Sequence, residues 1–148
     1  MSELSHVNEA GDVRMVDVGD KPLSRRRAVA RATVRMAPET AGQLRALPKG
    51  DALVTAQVAG IMAAKRTSEL IPLCHPLPLS SVEVSLAVGD AGVEIVATVE
   101  TIAQTGVEME ALIAVSVAGL TVYDMAKAVD KTLAVTDVML VEKTKEPA

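Results

Sequence analysis

Residues 107–129 read VEMEALIAVSVAGLTVYDMAKAV, an apolar stretch whose charged residues (Glu108, Glu110, Asp124 and Lys127) sit only at its two ends. It contains no proline, follows Gly106 and stops at Asp130-Lys131, so it predicts one long helix with a buried middle. Its neighbours give that helix a place. Upstream, Val82, Val84, Leu86 and Val88 alternate with polar residues, as do Val93, Ile95, Ala97 and Val99. These are two strands, and Gly89-Asp90-Ala91-Gly92 between them reads as a hairpin turn. Downstream, Leu133, Val135 and Val141 in alternate positions predict a last strand. Strand, strand, helix, strand is more than half of a split β-α-β pattern.

The first half reads in the same way. From Arg26, residues Ala30, Ala32, Val34 and Met36 share one face while Arg31, Thr33 and Arg35 share the other, which is a half-buried strand. Pro38 suits a helix first turn and predicts a short helix to about Leu47, broken by Pro48-Lys49-Gly50. Asp51 is a good N-cap for a second helix through Leu53, Val54, Val58, Ile61 and Met62, with Lys65 and Arg66 in its last turns. Pro72, Pro76 and Pro78 keep residues 71–78 from being helical and predict a rigid extended loop. The order β-α-α-β-β-α-β describes an α+β fold, a ferredoxin-like sandwich with helices on one face of an antiparallel sheet. One domain is expected over residues 25–143, with an extended arm over 1–24 and a flexible tail over 144–148. Val96 and Ile102 on the open sheet face suggest that something covers it.

With 148 residues, the chain is long enough to bury one core. It has no Trp, no Phe and one Tyr, so that core must be built from Val, Leu, Ile, Ala and Met. These bury less area each than an aromatic ring, and a very apolar sequence with such a core is expected to bury surface between subunits as well. A net charge of −4 gives no global attraction to nucleic acid or acidic membranes. Nucleic-acid recognition on this fold would use aromatic stacking on the sheet, and Tyr123 is on a helix. The N-terminal Met1-Ser2-Glu3-Leu4-Ser5-His6 lacks the layout of a signal peptide, and the uncharged run Ala111–Tyr123 is too short for a bilayer. A single Cys fits a reducing compartment. These features predict a soluble, cytoplasmic protein.

The charges at the ends of the long helix have an ordinary explanation. First-turn carboxylates favour the positive end of a helix, and Asp124 with Lys127 is a common i, i+3 pair. Geometry adds a constraint, because Glu110 and Asp124 are ~21 Å apart along the axis yet within about 40° of the same face. If both serve one reaction, the site must be composite, with one subunit supplying the start of the helix and its neighbour the end. Cys74-His75-Pro76 is a further candidate. Adjacent residues in an extended segment point to opposite sides, which disfavours a Cys–His nucleophile pair, and no zinc spacing is present. Cys74 reads equally as a small buried hydrophobe, whereas His75 stands where a rigid loop could present an imidazole. Lys49 in Pro48-Lys49-Gly50-Asp51, just before a helix start, makes a plausible anion site. Lys65, Arg66, Lys127, Lys131 and the Arg25-Arg26-Arg27 run are further candidates for phosphate handling. No Walker-type or dinucleotide fingerprint is present.

Six blocks carry a resemblance. They are Met15-Val16-Asp17-Val18, Pro48-Lys49-Gly50-Asp51, Ala64-Lys65-Arg66-Thr67, Leu70-Ile71-Pro72-Leu73-Cys74-His75-Pro76, Thr105-Gly106-Val107-Glu108-Met109-Glu110-Ala111-Leu112 and Tyr123-Asp124-Met125-Ala126-Lys127-Ala128-Val129. Together, from about residue 15 to 143, they closely resemble the cyclic pyranopterin monophosphate synthase family, the accessory proteins of molybdenum-cofactor biosynthesis. The resemblance implies a lyase that takes 3′,8-cyclo-7,8-dihydroguanosine 5′-triphosphate to cyclic pyranopterin monophosphate, releasing pyrophosphate. It also implies a homohexamer built as a trimer of dimers, with the site at the dimer interface. By motif match, Asp124 is the acid/base residue and Lys49 and Lys127 are its catalytic partners. Leu73, Cys74, His75, Met109 and Glu110 become substrate contacts. Glu108, Lys65, Arg66 and Arg26 become their neighbours, the basic ones facing the triphosphate. No metal ligands are assigned, although Mg²⁺ is a candidate for stabilising the leaving pyrophosphate. A ligand-binding regulatory module would explain an interface pocket, but not why it should hold carboxylates and lysines together. A purely structural oligomer would need no pocket.

Overall fold

The computed structural model describes residues 4–148 and has the order β1 (Ser24–Arg35), α1 (Pro38–Ala41), α2 (Ala52–Lys65), α3 (Thr67–Leu70), β2 (Leu79–Gly89), β3 (Gly92–Ala103), α4 (Glu108–Ala126) and β4 (Ala134–Pro147). The four strands form one antiparallel sheet in the order β2-β3-β1-β4. This is the α+β ferredoxin-like arrangement that the alternation and the long apolar helix predict. Alternation in β1 and β3 sets the register: Ala28 faces Val99, Ala30 faces Ala97, Ala32 faces Ile95 and Val34 faces Val93. All eight are buried and form the floor on which the helices lie.

With no Trp, no Phe and its one Tyr exposed, the core has no aromatic ring to fill space, and the helices must come close to the sheet and to each other. Ala111, Ala114, Val115, Ala118 and Val122 of α4 share one buried face, as the helical period requires. Helix α2 presents Ala52, Ala56, Gly60, Ala63 and Ala64. A Cβ added at Gly60 would stand 3.0 Å from the Ala114 carbonyl oxygen and 3.2 Å from a Val84 methyl, so hydrogen at this position is what permits the approach. By length and composition α4 could cross a membrane, but half of its most apolar window is buried inside the domain, against α2 and three strands. It is the core helix.

Asp51 caps α2 as expected, its carboxylate accepting from the backbone N–H of Leu53 (2.9 Å) and Val54 (3.2 Å). The β2–β3 hairpin closes on Gly89 and Gly92. Gly92 has φ +148°, and a Cβ there would run into the Val34 carbonyl. Three elements differ from expectation. Helix α1 ends at Ala41 and the chain continues to Leu47 in tight turns, with Gln43 N–H bonding Thr40 O and Ala46 N–H bonding Gln43 O. Helix α3 is an extra single turn started by buried Thr67, whose hydroxyl donates to the Ala63 and Ala64 carbonyls. Strand β4 contains two register shifts against β1, with Asp137 at φ 55°, so strict alternation fails and Val141 is exposed.

Residues 144–147, expected in a tail, continue β4, where Thr144, Lys145 and Glu146 pair with Arg27, Arg26 and Arg25. Of the arm, residues 1–3 lie outside the described residues. The remainder is irregular with one small bridge, Val7 to Val13, and runs to the start of β1. The open sheet face is a ladder of charges more than an apolar surface. Arg27 pairs with Glu142 (2.6 Å) and Glu100 (3.7 Å), and Arg31 pairs with Glu94 (3.3 Å), leaving Val96 half-buried among them.

Candidate active site

At the C-terminal end of α4, three charged side chains converge. Asp124 stands on the last turn, Lys127 is the C-cap residue, and Lys49 arrives from the turn that precedes α2. Lys127 Nζ lies 2.9 Å from Asp124 Oδ1, and Lys49 Nζ lies 3.0 Å from Asp124 Oδ2. Each carboxylate oxygen therefore takes one ammonium group. The hydrogen bond from Lys127, then that from Lys49, holds the Asp124 carboxyl below its ordinary pKa, and the Lys127 ammonium is raised in turn by Asp124. All three side chains are about half exposed (48% to 55%), so no wall of this subunit encloses them. Ion pairs this exposed contribute little to stability.

Just beyond, Asp130 ties down the chain that follows. Its buried carboxylate accepts from Thr132 Oγ1 (2.6 Å) and N–H (2.7 Å), Thr40 Oγ1 (2.8 Å) and Ala37 N–H (2.9 Å). These donors, the Thr132 hydroxyl foremost, hold its pKa far below the usual carboxylate range.

At the N-terminal end of α4 lies a pocket of about 260 Å³. Thr105, Gly106, Glu108, Met109 and Glu110 line it from α4 and the turn before it, and Leu73, Cys74, His75 and Leu77 from the proline-rich loop. Glu110 is only 4% exposed. Burial, reinforced by the charge of Glu108, raises its pKa above the ordinary value, against a bond from its own backbone N–H. Burial, then the charge of Glu110, also raises the Cys74 thiol. His75 Nε2 donates to the Val16 carbonyl at 2.6 Å, so in the neutral ring Nδ1 is left as an acceptor. The Glu108 carboxylate folds back over Gly106 and lies 3.9 Å from Lys143.

The fold thus brings Leu73, Cys74, His75, Glu108, Met109 and Glu110 into one pocket, and Lys49, Asp124 and Lys127 into one cluster at the other end of α4. It leaves three expected neighbours outside both. Arg26 lies on the helix side of β1, its Nε donating to Ser24 Oγ at 2.6 Å. Lys65 borders a separate shallow depression beside Ile61 and Ser81, and Arg66 is exposed at the α2–α3 corner. Residue-by-residue reading missed the arm's contribution, because His6, Val16, Val18 and Lys21 also line the pocket. Gln104 Nε2 helps fix the arm there by donating to the Gly19 carbonyl at 3.3 Å. The Met15–Val18 block was the one signal that this stretch mattered. Among the described residues, no group of three or more His, Cys, Asp or Glu side chains is placed to hold a metal ion.

The sequence profile of the MoaC family matches residues 15–146. A cyclic pyranopterin monophosphate synthase of Thermomicrobium roseum is 57% identical over 97% of this chain and 89% of its own length. One from Roseiflexus castenholzii is 57% identical over 97% of this chain and 94% of its own. Another, from Streptomyces avermitilis, is 58% identical over 95% and 84% respectively.

Proposed function

The chain belongs to the MoaC family, and we propose that it works as a lyase of molybdenum-cofactor biosynthesis. The reaction converts 3′,8-cyclo-7,8-dihydroguanosine 5′-triphosphate to cyclic pyranopterin monophosphate and pyrophosphate. Opening a guanine-derived ring and rebuilding it as a pterin takes several proton transfers, and these need groups on both sides of neutrality. Glu110, buried and shifted upward, suits a proton donor beside the heterocycle. Cyclising the phosphate and expelling pyrophosphate develops negative charge, and the Lys49 and Lys127 ammonium groups suit its stabilisation. Asp124 between them takes the acid/base role. Arg26, Lys65 and Arg66 would face the triphosphate in the assembled site. Mg²⁺ carried by the triphosphate would add to that stabilisation.

The observation that carries this reading is the placement of two half-sites at opposite ends of one helix. The pocket falls below the roughly 300–1,000 Å³ usual for a ligand site, and the triad has no walls. Between them, the outward face of α4 is apolar through Ile113, Val117 and Leu120, and α2 adds Val54, Val58 and Met62 at i, i+4 spacing, most of them exposed. Two subunits packed on this stripe, with their α4 helices antiparallel about a two-fold axis, would join the pocket of each to the triad of the other. We read the assembly as a homohexamer of three such dimers, working in the cytoplasm. A single unpaired cysteine suits that reducing compartment.

The test is pyrophosphate release by the purified protein given the cyclised guanosine triphosphate. Turnover is expected; binding without turnover would refute the lyase reading. An active protein that sediments as a monomer would refute the shared site.

A further inference from the structure

We infer that His6 is a substrate-contacting residue, carried to the pocket at the start of α4 by a small hairpin folded from residues 4–15. The inference rests on the lyase reading above and extends it to the arm. The hairpin is built from polar contacts. Val7 bridges Val13, Asn8 N–H bonds the Asp12 carbonyl (2.9 Å), and Asn8 Oδ1 accepts from the N–H of Ala10 (3.0 Å) and Asp12 (2.9 Å). Gly11 turns the chain at φ +87°. At its base His6 and Arg14 are doubly joined: Arg14 N–H donates to the His6 carbonyl (2.7 Å), and His6 Nδ1 meets the Arg14 carbonyl (3.1 Å).

That second bond fixes the ring. A carbonyl oxygen only accepts, so Nδ1 carries the proton of the neutral imidazole and Nε2 keeps a lone pair. His75 is fixed in the opposite sense, with Nε2 donating to the Val16 carbonyl and Nδ1 left over. Arm carbonyls only two residues apart, those of Arg14 and Val16, therefore hold two imidazoles that both line one pocket, each with one acceptor nitrogen uncommitted. Buried Glu110 stands in the same pocket, where burial shifts its carboxyl toward the protonated form that can donate. Two acceptors and a donor suit a guanine-derived ring, which displays N–H groups and a carbonyl along its edge.

Two substitutions separate contact from scaffolding. His6→Asn puts an amide N–H where Nδ1–H stood, so it keeps the bond to Arg14 and loses Nε2. His6→Gln reaches the Nε2 position but gives up the Arg14 bond. If His6 touches substrate, kcat/KM for the cyclised triphosphate falls roughly tenfold in His6→Asn, as for one lost hydrogen bond, and His6→Gln is the better enzyme. Any other ranking of the two variants overturns the inference. Affinity for GTP, which carries a guanine and a triphosphate, gives a reading without turnover. A similar weakening in His6→Asn is expected, and unchanged affinity would overturn the contact. Wild-type protein that binds GTP normally but never releases pyrophosphate would instead break the lyase reading and leave the His6 comparison readable by affinity.

Discussion

The surroundings shift the carboxylates at the two ends of α4 in opposite directions, and in each case they override the helix itself. A helix N-terminus favours a charged carboxylate, yet Glu110 in the first turn is pushed toward its neutral form because it is buried. A helix C-terminus disfavours negative charge, yet Asp124 in the last turn is held ionised by two lysines in the open. Read from the helix dipole alone, the assignments would be reversed. Burial favours the proton at one end, and two lysines favour the charge at the other.

The comparison can be broken most sharply at the exposed end. Asp124→Asn is expected to lower kcat by about 10²- to 10⁴-fold, in the range for removing a positioned acid/base group, at an unchanged melting temperature. Near-wild-type turnover would make the triad an ordinary surface cluster. Next comes a mixing experiment. Asp124→Asn and Glu110→Ala proteins, each inactive alone, should regain about a quarter of wild-type activity when unfolded and refolded together. Random pairing makes half the dimers mixed, and each mixed dimer has one intact site of two. A mixture as inactive as its parents would confine each site to one subunit.

A smaller effect is expected midway along the helix, where the two ends share a common support. Gly60→Val should cost about 1–3 kcal/mol in urea denaturation, because its side chain meets the Ala114 carbonyl and Val84. A neutral result would mean that α2 and α4 separate freely. The smallest effect concerns protonation. The folded pKa of Glu110 lies above its unfolded value, so its contribution to stability is complete at pH below the unfolded pKa and is lost as pH rises through the folded one. Glu110→Gln cannot ionise. Its melting temperature should match wild type near about pH 4 and exceed it by a few degrees near about pH 8. Parallel curves at every pH would show that Glu110 is not strained as a charge.

Much of the fold was legible because the decisive signals are local. The alternation of Ala30, Ala32 and Val34, the cap at Asp51 and the glycines at 89 and 92 each state a backbone preference in a few residues. Helix α1 and strand β4 differ in length from what their sequence predicts for the complementary reason. Turns around Gly42 and bulges around Asp137 follow from contacts with other strands and leave no period behind. The same division holds at the site. Glu108, Met109 and Glu110 lie on one helical turn and Cys74 and His75 on one rigid loop, so each group could be read as a unit. Nothing near His6 or Lys21 says that the arm returns to the pocket, since that follows from the Val16 and Gly19 carbonyls meeting His75 and Gln104. Asp130 was equally hidden, its donors coming from residues 37, 40 and 132.

Tyr123 adjoins Asp124 on the exposed last turn of α4, in a chain with no tryptophan and no phenylalanine. The protein therefore carries one near-ultraviolet chromophore, placed at the lysine–carboxylate end of the helix. Its emission and its absorbance belong to a single known position, unmixed with any other ring. The subunit association proposed above would thus be open to tyrosine emission in the unlabelled protein, with no dye and no inserted tryptophan.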